Sequence, residues 1–147
     1  MRSAFPDVIR IIPHRPPMVM IDRYSRVSDT HGTAEKMFSR KDYGCEDGYV
    51  LQAVLVECIA QTVAAHHGYS QMETGSGSPA MGMLVAIDSF DFFHPVQEDE
   101  TITITVHKTD EIGPFHLIQG EILCRRKIMA RGRMKIFNSA DNQGEKR

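Results

Sequence analysis

The stretch from Leu51 to Tyr69, LQAVLVECIAQTVAAHHGY, constrains the fold more than any other. It is the one long helical candidate, and Val54, Leu55, Val56, Ile59, Ala60, Val63 and Ala64 put apolar side chains on nearly every side of it. A helix that is apolar all round belongs in an interior. Glu57 nevertheless stands in its middle, and Gln61 follows one turn later on the same face. A buried carboxylate is costly unless it is paired, hydrogen-bonded or neutralised. Glu57 is therefore a candidate functional group, the plain alternative being a glutamate on the single solvated stripe of an ordinary helix.

The rest of the chain must supply what covers this helix. A length of 147 residues argues for one domain, taken here as residues 1–137, with the polar stretch 138–147 as a frayed tail. A domain of this size buries roughly two-thirds of the surface that its unfolded chain exposes. The formal net charge of -2 gives no support for bulk nucleic-acid binding. Cys45, Cys58 and Cys124 are odd in number and widely spaced, which argues against a disulfide framework and against a zinc or other metal site. A reducing, cytoplasmic setting fits. The first residues lack the continuous apolar run of a signal peptide, and no stretch approaches the roughly 20 apolar residues of a membrane span.

In chain order, Ser3 to Ile12 reads as a short helix, with Ser3 as N-cap and Pro13 as its stop. The prolines of Pro13 to Pro17 impose a stiff, extended entry to the first strand. Met18 to Ser28 and Thr33 to Arg40 read as a hairpin turning at Thr30-His31-Gly32. Lys41 to Val50 reads as a loop into the helix. Gly68 lies close to the expected helix end, and Glu73 to Pro79 has the composition of a flexible linker. Ala80 to Ile87, AMGMLVAI, is short and apolar enough for a strand buried on both faces. Thr101 to His107 alternates β-branched residues at period two, and Pro114 to Cys124 and Lys127 to Phe137 complete about four antiparallel strands. A hairpin, one long apolar helix and then a run of strands predicts an α+β protein, a sheet wrapped round a helix.

Three stretches carry a resemblance. IPHRPPMVMIDR (Ile12 to Arg23), VLVECIAQ (Val54 to Gln61) and FDFFHPVQEDE (Phe90 to Glu100) are similar, in order and separation, to three motifs of the hotdog-fold 3-hydroxyacyl-[acyl-carrier-protein] dehydratases. The resemblance spans Ile12 to about Phe137. It implies a curved antiparallel sheet around a central helix, paired into homodimers or into heterodimers with another hotdog subunit. It also implies a substrate carried as a thioester on the phosphopantetheine of acyl carrier protein or on CoA, with no other cofactor. Charge and hydropathy, for their part, argue against a nucleic-acid or membrane partner.

One departure stands out. Those dehydratases carry a histidine turn fourteen residues before the helix glutamate, and here that position is Tyr43, in YGCEDG. The chain looks more like a divergent branch, that of the aryl-polyene biosynthesis proteins which work beside a second hotdog subunit and keep the glutamate helix without the histidine turn. Asp47 to Leu51 and Glu57 to Ala65 fit that pattern.

Dehydrating a 3-hydroxyacyl thioester requires a base at the α-carbon and an acid at the departing β-hydroxyl. Charge growing on the thioester oxygen needs donors, which free amides at a helix N-terminus supply; Ala53 and Val54 are the expected positions. Glu57 is the expected catalytic residue, its burial suiting a carboxylic acid that must donate a proton. Gln61 either orients Glu57, holds the substrate hydroxyl or makes a plain core hydrogen bond. Tyr43 could donate to the substrate but is a poor base. His66 and His67 read as surface or helix-end residues, and His14 and His94 as structural ones beside prolines. The missing histidine then comes from a partner subunit, or Glu57 works alone.

On the last strand Ile128, Ala130, Gly132, Met134 and Ile136 share one face and Lys127, Arg131, Arg133 and Lys135 the other. Arg131 and Arg133 could dock an acidic carrier protein, or simply protect a sheet edge. Two other functions use the same helix: an acyl-thioesterase in which Glu57 activates water or attacks the thioester, and a non-catalytic acyl-binding or scaffolding subunit.

Overall fold

A computed structural model describes residues 5–75 and 82–138. One helix, α1 (Gln52–Thr74), crosses a six-stranded antiparallel sheet of order β1-β2-β6-β7-β8-β5. The strands are β1 (Arg23–Arg26), β2 (His31–Met37), β5 (Gly82–Phe92), β6 (Thr101–Ile112), β7 (Phe115–Cys124) and β8 (Lys127–Asn138). Two short strands, β3 (Cys45–Glu46) and β4 (Tyr49–Val50), form a small hairpin ahead of the helix. This is the hotdog arrangement that the sequence predicts.

The core forms where α1 lies on the sheet. Leu55, Cys58, Ile59 and Ala65 are buried on the helix, opposite Ala34, Ile102, Ile104, Ile118, Ile122 and Met134. Period-two alternation explains the sheet side: Ile102, Ile104 and Val106 point inward while the intervening threonines are half-exposed or exposed. On β8, Ala130, Gly132, Met134 and Ile136 are buried and Arg133 is exposed, as the alternation requires.

Several local expectations change. The helix runs past Gly68 and Tyr69 to Thr74 and ends at Gly75 in the left-handed conformation, φ 69°. The first part of the expected linker is thus helical, and Ser76 to Pro79 lie outside the described residues. The N-terminal helix is only a 3-10 turn at Val8–Arg10, capped by the Asp7 carboxylate, which accepts from the Ile9 amide; Ser3 lies outside the described residues. The first hairpin turns at Ser28 to Thr30, because His31 and Gly32 already pair with β6 and β1. Thr33 to Arg40 likewise loses its end, as β2 stops at Met37. The loop before the helix contains the β3-β4 hairpin. Asn138, expected to begin the frayed tail, is the buried last residue of β8; 139–147 lie outside the described residues.

The largest correction concerns β5. The run expected to be buried on both faces is an edge strand, paired only with β8. Met83, Leu84, Val85 and Ile87 are exposed, and register shifts interrupt the pairing at Leu84/Ala86 and Ile87/Ser89. The apolar composition alone does not distinguish such an exposed edge strand from a strand buried in the core.

Candidate active site

Gln61 joins two of the sequence motifs into one structural unit. Its side chain is fully buried. Its Oε1 accepts from the Met20 amide at 2.7 Å, and its Nε2 donates to the Met18 carbonyl at 2.7 Å and to Glu57 Oε1 at 2.9 Å. The backbone donor and acceptor fix which way the amide is turned. Beside it the Cys58 thiol donates to the Met20 carbonyl at 3.3 Å. These bonds take up the Met18 carbonyl and both backbone groups of Met20 before β1 begins, while the Asp22 amide already donates to the Glu35 carbonyl of β2 at 2.7 Å.

Upstream, the same segment is held against the helix by a close contact at Gly68. A Cβ built on Gly68 would fall 1.9 Å from the Ile11 carbonyl oxygen, so only glycine admits this approach. Arg15 braces the turn between, donating to the Ile12 and His14 carbonyls at 3.1 and 2.7 Å. His14 is thereby brought to Glu57, with Nε2 3.4 Å from Oε1. The side chains of His14 and Glu57 are 30% and 36% exposed. Glu57 is therefore not the buried carboxylate expected from the helix pattern, because the face that carries it borders an open cleft. The other nitrogen of His14, Nδ1, is buried and has no hydrogen-bond partner among the described residues.

Both residues open into a cleft of about 780 Å³ between α1 and the β5-β8 end of the sheet. Ala60, Val63 and Ala64 form its helix wall, Leu84 and Ile136 its floor, and Met72 marks its far end. From Glu57 to Met72 the helix rises about 22 Å. The apolar residues on two sides of α1 thus have two purposes: one side packs on the sheet, the other lines this cleft.

The remaining expected site residues lie elsewhere. Tyr43 is exposed and does not line the cleft. Neither do Ala53, which is exposed, or Val54, which is buried and whose amide already donates to the Leu51 carbonyl at 3.0 Å. Gln61 has both of its N–H bonds committed, so it positions Glu57 and has no donor left for a substrate hydroxyl. Arg131 lies 3.4 Å from Glu121, and Arg133 stands exposed on the outer face of β8. The third motif holds the helix entrance: the Val50, Glu98 and Asp99 amides donate to Val96, Gly48 and Phe38.

The histidines separate into distinct roles. His66, expected at the surface, is half-buried and bonded at both nitrogens: Nε2 to the Asp29 carbonyl at 2.8 Å and Nδ1 to the Tyr24 hydroxyl at 2.5 Å. A carbonyl only accepts, so Nε2 carries the proton and Nδ1 accepts from tyrosine. Burial pushes the His66 pKa down and the Tyr24 pKa up. Burial likewise raises the thiols of Cys45, Cys58 and Cys124, all free. His67 and His116 line the cleft away from Glu57, and His116 Nε2 lies 3.1 Å from Glu111. His14, read from the sequence as a structural residue beside prolines, is instead the histidine that the structure places against Glu57.

A six-stranded antiparallel sheet around one helix, with an apolar cleft opening beside a helix carboxylate, defines a protein of the hotdog class. Residues 6–146 match the ApeP-like model, described as ApeP dehydratase, and the chain belongs to that family. Comparison with curated proteins gives no match. Among solved structures, a chain of the dehydratase heterocomplex ApeI:P from Xenorhabdus doucetiae superposes with a TM-score of 0.82 at 22% identity, covering 91% of each chain. A hypothetical thioesterase with coenzyme A from Streptococcus pneumoniae gives 0.63 at 12% identity, covering 79% of this chain and 88% of that one. The E. coli PaaI protein of the phenylacetic acid degradation operon gives 0.62 at 15%, covering 78% and 80%. Among the described residues no helix is long and apolar enough to cross a membrane.

Proposed function

We propose that this chain is the glutamate-bearing subunit of a dehydratase for 3-hydroxyacyl thioesters, carried on acyl carrier protein or CoA, and that it works paired with a second hotdog subunit. The observation that carries the reading is Glu57 at the mouth of the cleft, with Gln61 donating to its Oε1. A carboxyl group held this way protonates the departing β-hydroxyl while the acyl chain lies along Ala60, Val63 and Ala64. Membership of the ApeP-like family supports dehydration. The likeness to a chain from a heterocomplex, and the exposed apolar edge at Met83 to Ile87, support the second subunit, which would complete the sheet at β5.

The test is turnover of 3-hydroxyacyl-carrier protein by the chain with its hotdog partner, followed by mass spectrometry, with Glu57→Gln as control. Loss of water from the acyl group, lowered at least ~100-fold in the variant, is the expected result. Free acid and released thiol would make the chain a thioesterase. Full activity of the variant would leave it a scaffold whose partner does the chemistry. Carrier docking falls to Arg133, since Arg131 is already beside Glu121. Arg133→Glu should raise KM for the carrier-bound substrate and leave a small CoA or pantetheine thioester unaffected.

A further inference from the structure

We infer that His14 is the second catalytic residue, so that this chain carries a complete acid–base pair of its own; the inference rests on the dehydratase reading above. The histidine turn expected at position 43 is absent, and Tyr43 in its place lies outside the cleft. The structure brings a different histidine to the carboxylate from the opposite wall, with Nε2 of His14 3.4 Å from Glu57 Oε1.

Three observations distinguish this from a casual contact. First, the approach is built. Gly68 admits the Ile11 carbonyl, Arg15 braces the turn, and Gln61 binds Met18 and Met20 while also holding Glu57, so one amide fixes both members of the pair. Second, both side chains line the cleft and are partly exposed within it. Third, Nδ1 of His14 is buried without a hydrogen-bond partner among the described residues. A buried polar atom left unmet costs about 1–3 kcal/mol, and such atoms in folded proteins call for an explanation such as a catalytic role. The contrast with His66, bonded at both nitrogens, shows what a purely structural histidine looks like in this fold.

The step balances within the pair. Neutral His14 takes the α-proton. The electrons of that C–H bond become the Cα=Cβ double bond, the Cβ–O bond breaks, and the hydroxyl leaves as water with the proton held by Glu57. His14 is then protonated and Glu57 ionised, in contact, and transfer of the proton from one to the other restores the starting state. The other charged and titratable groups that line the cleft with the pair are Arg10 and Arg15 on the same segment, His67 on α1 and His116 on β7.

The test compares wild type, His14→Gln, His14→Ala and Glu57→Gln, each in complex with the hotdog partner, over a range of pH. His14→Gln should lower kcat at least ~100-fold with little change in KM, and the pH profile of kcat/KM should lose one limb. Added imidazole should restore activity to His14→Ala and not to Glu57→Gln. Unchanged circular dichroism and complex formation separate these effects from misfolding. If wild type dehydrates and Glu57→Gln does not, but His14→Gln keeps its kcat and both limbs of its profile, the inference fails and the dehydratase reading stands. If His14→Gln is impaired with an unaltered profile and no response to imidazole, His14 only positions Glu57 and the inference also fails. If wild type dehydrates no 3-hydroxyacyl thioester, both fall together.

Discussion

His14, packed against Glu57 of α1, and His66, carried by α1 itself, lie on opposite sides of that helix in very different surroundings. Glu57 and His66 are nine residues apart, which on an α-helix is about half a revolution. His66 faces Tyr24 and the Asp29 carbonyl, has both nitrogens bonded and is held neutral by burial. His14 faces a carboxylate at the mouth of a cleft, with one nitrogen buried and unmet. A histidine whose hydrogen bonds are complete has little left to offer a substrate, whereas an incomplete one is costly to keep unless something else meets it. The side of α1 that packs on the sheet is finished, and the side that lines the cleft is left open.

The sharpest way to break this comparison is to exchange the roles by mutation. His14→Ala should lower turnover by ~100-fold or more and leave the melting curve near that of wild type. His66→Ala should do the reverse, losing about 1–3 kcal/mol of stability through the unmet Tyr24 hydroxyl and Asp29 carbonyl while each folded molecule keeps its turnover. Urea unfolding and steady-state kinetics on both variants decide it. Equal effects of the two substitutions on both readouts would mean that the two histidines do the same kind of work.

Gln61 belongs to both sides and should show it. Gln61→Leu keeps the volume but strands the Met20 amide and the Met18 carbonyl, so about 2–5 kcal/mol of stability should go. Glu57 loses its donor and the 14–20 segment its anchor, so turnover per folded molecule should fall as well. A variant that lost stability alone would show that the segment keeps its place without this bond.

How far the sequence reaches is clear from these residues. The helix, its glutamate and the glutamine one turn on are visible because they are neighbours at a known period. The inward face of β8 and the alternation of β6 are visible for the same reason. His14 against Glu57 is a contact across 43 residues of chain, and no local pattern encodes it. Gly68 reads as a helix end because glycine commonly ends helices, yet here it is the notch that admits Ile11. The apolar run of β5 reads as core because composition alone does not tell an exposed apolar edge from a buried strand. Apolar residues on two sides of α1 suggested a buried Glu57, but they serve a core on one side and a cleft on the other.

The mildest perturbation is pH, and it acts on the closed side of the helix. The folded pKa of His66 is lowered from 6.5 by burial, so below about pH 6.5 the unfolded chain binds a proton there that the folded chain refuses. Stability from this source is complete above pH 6.5 and declines as pH falls from 6.5 through the lowered folded value, by at most about 1.4 kcal/mol per pH unit. Thermal melts at pH 7.5 and 5.5 should therefore differ more for wild type than for His66→Phe, which has no proton to refuse. Tyr24→Phe, keeping the imidazole but removing the hydroxyl that donates to Nδ1, should leave His66 easier to protonate and fall between the two. If the melts of wild type and His66→Phe shift equally with acid, His66 is not sealed as its two hydrogen bonds imply. The contrast with His14 would then rest on the carboxylate alone.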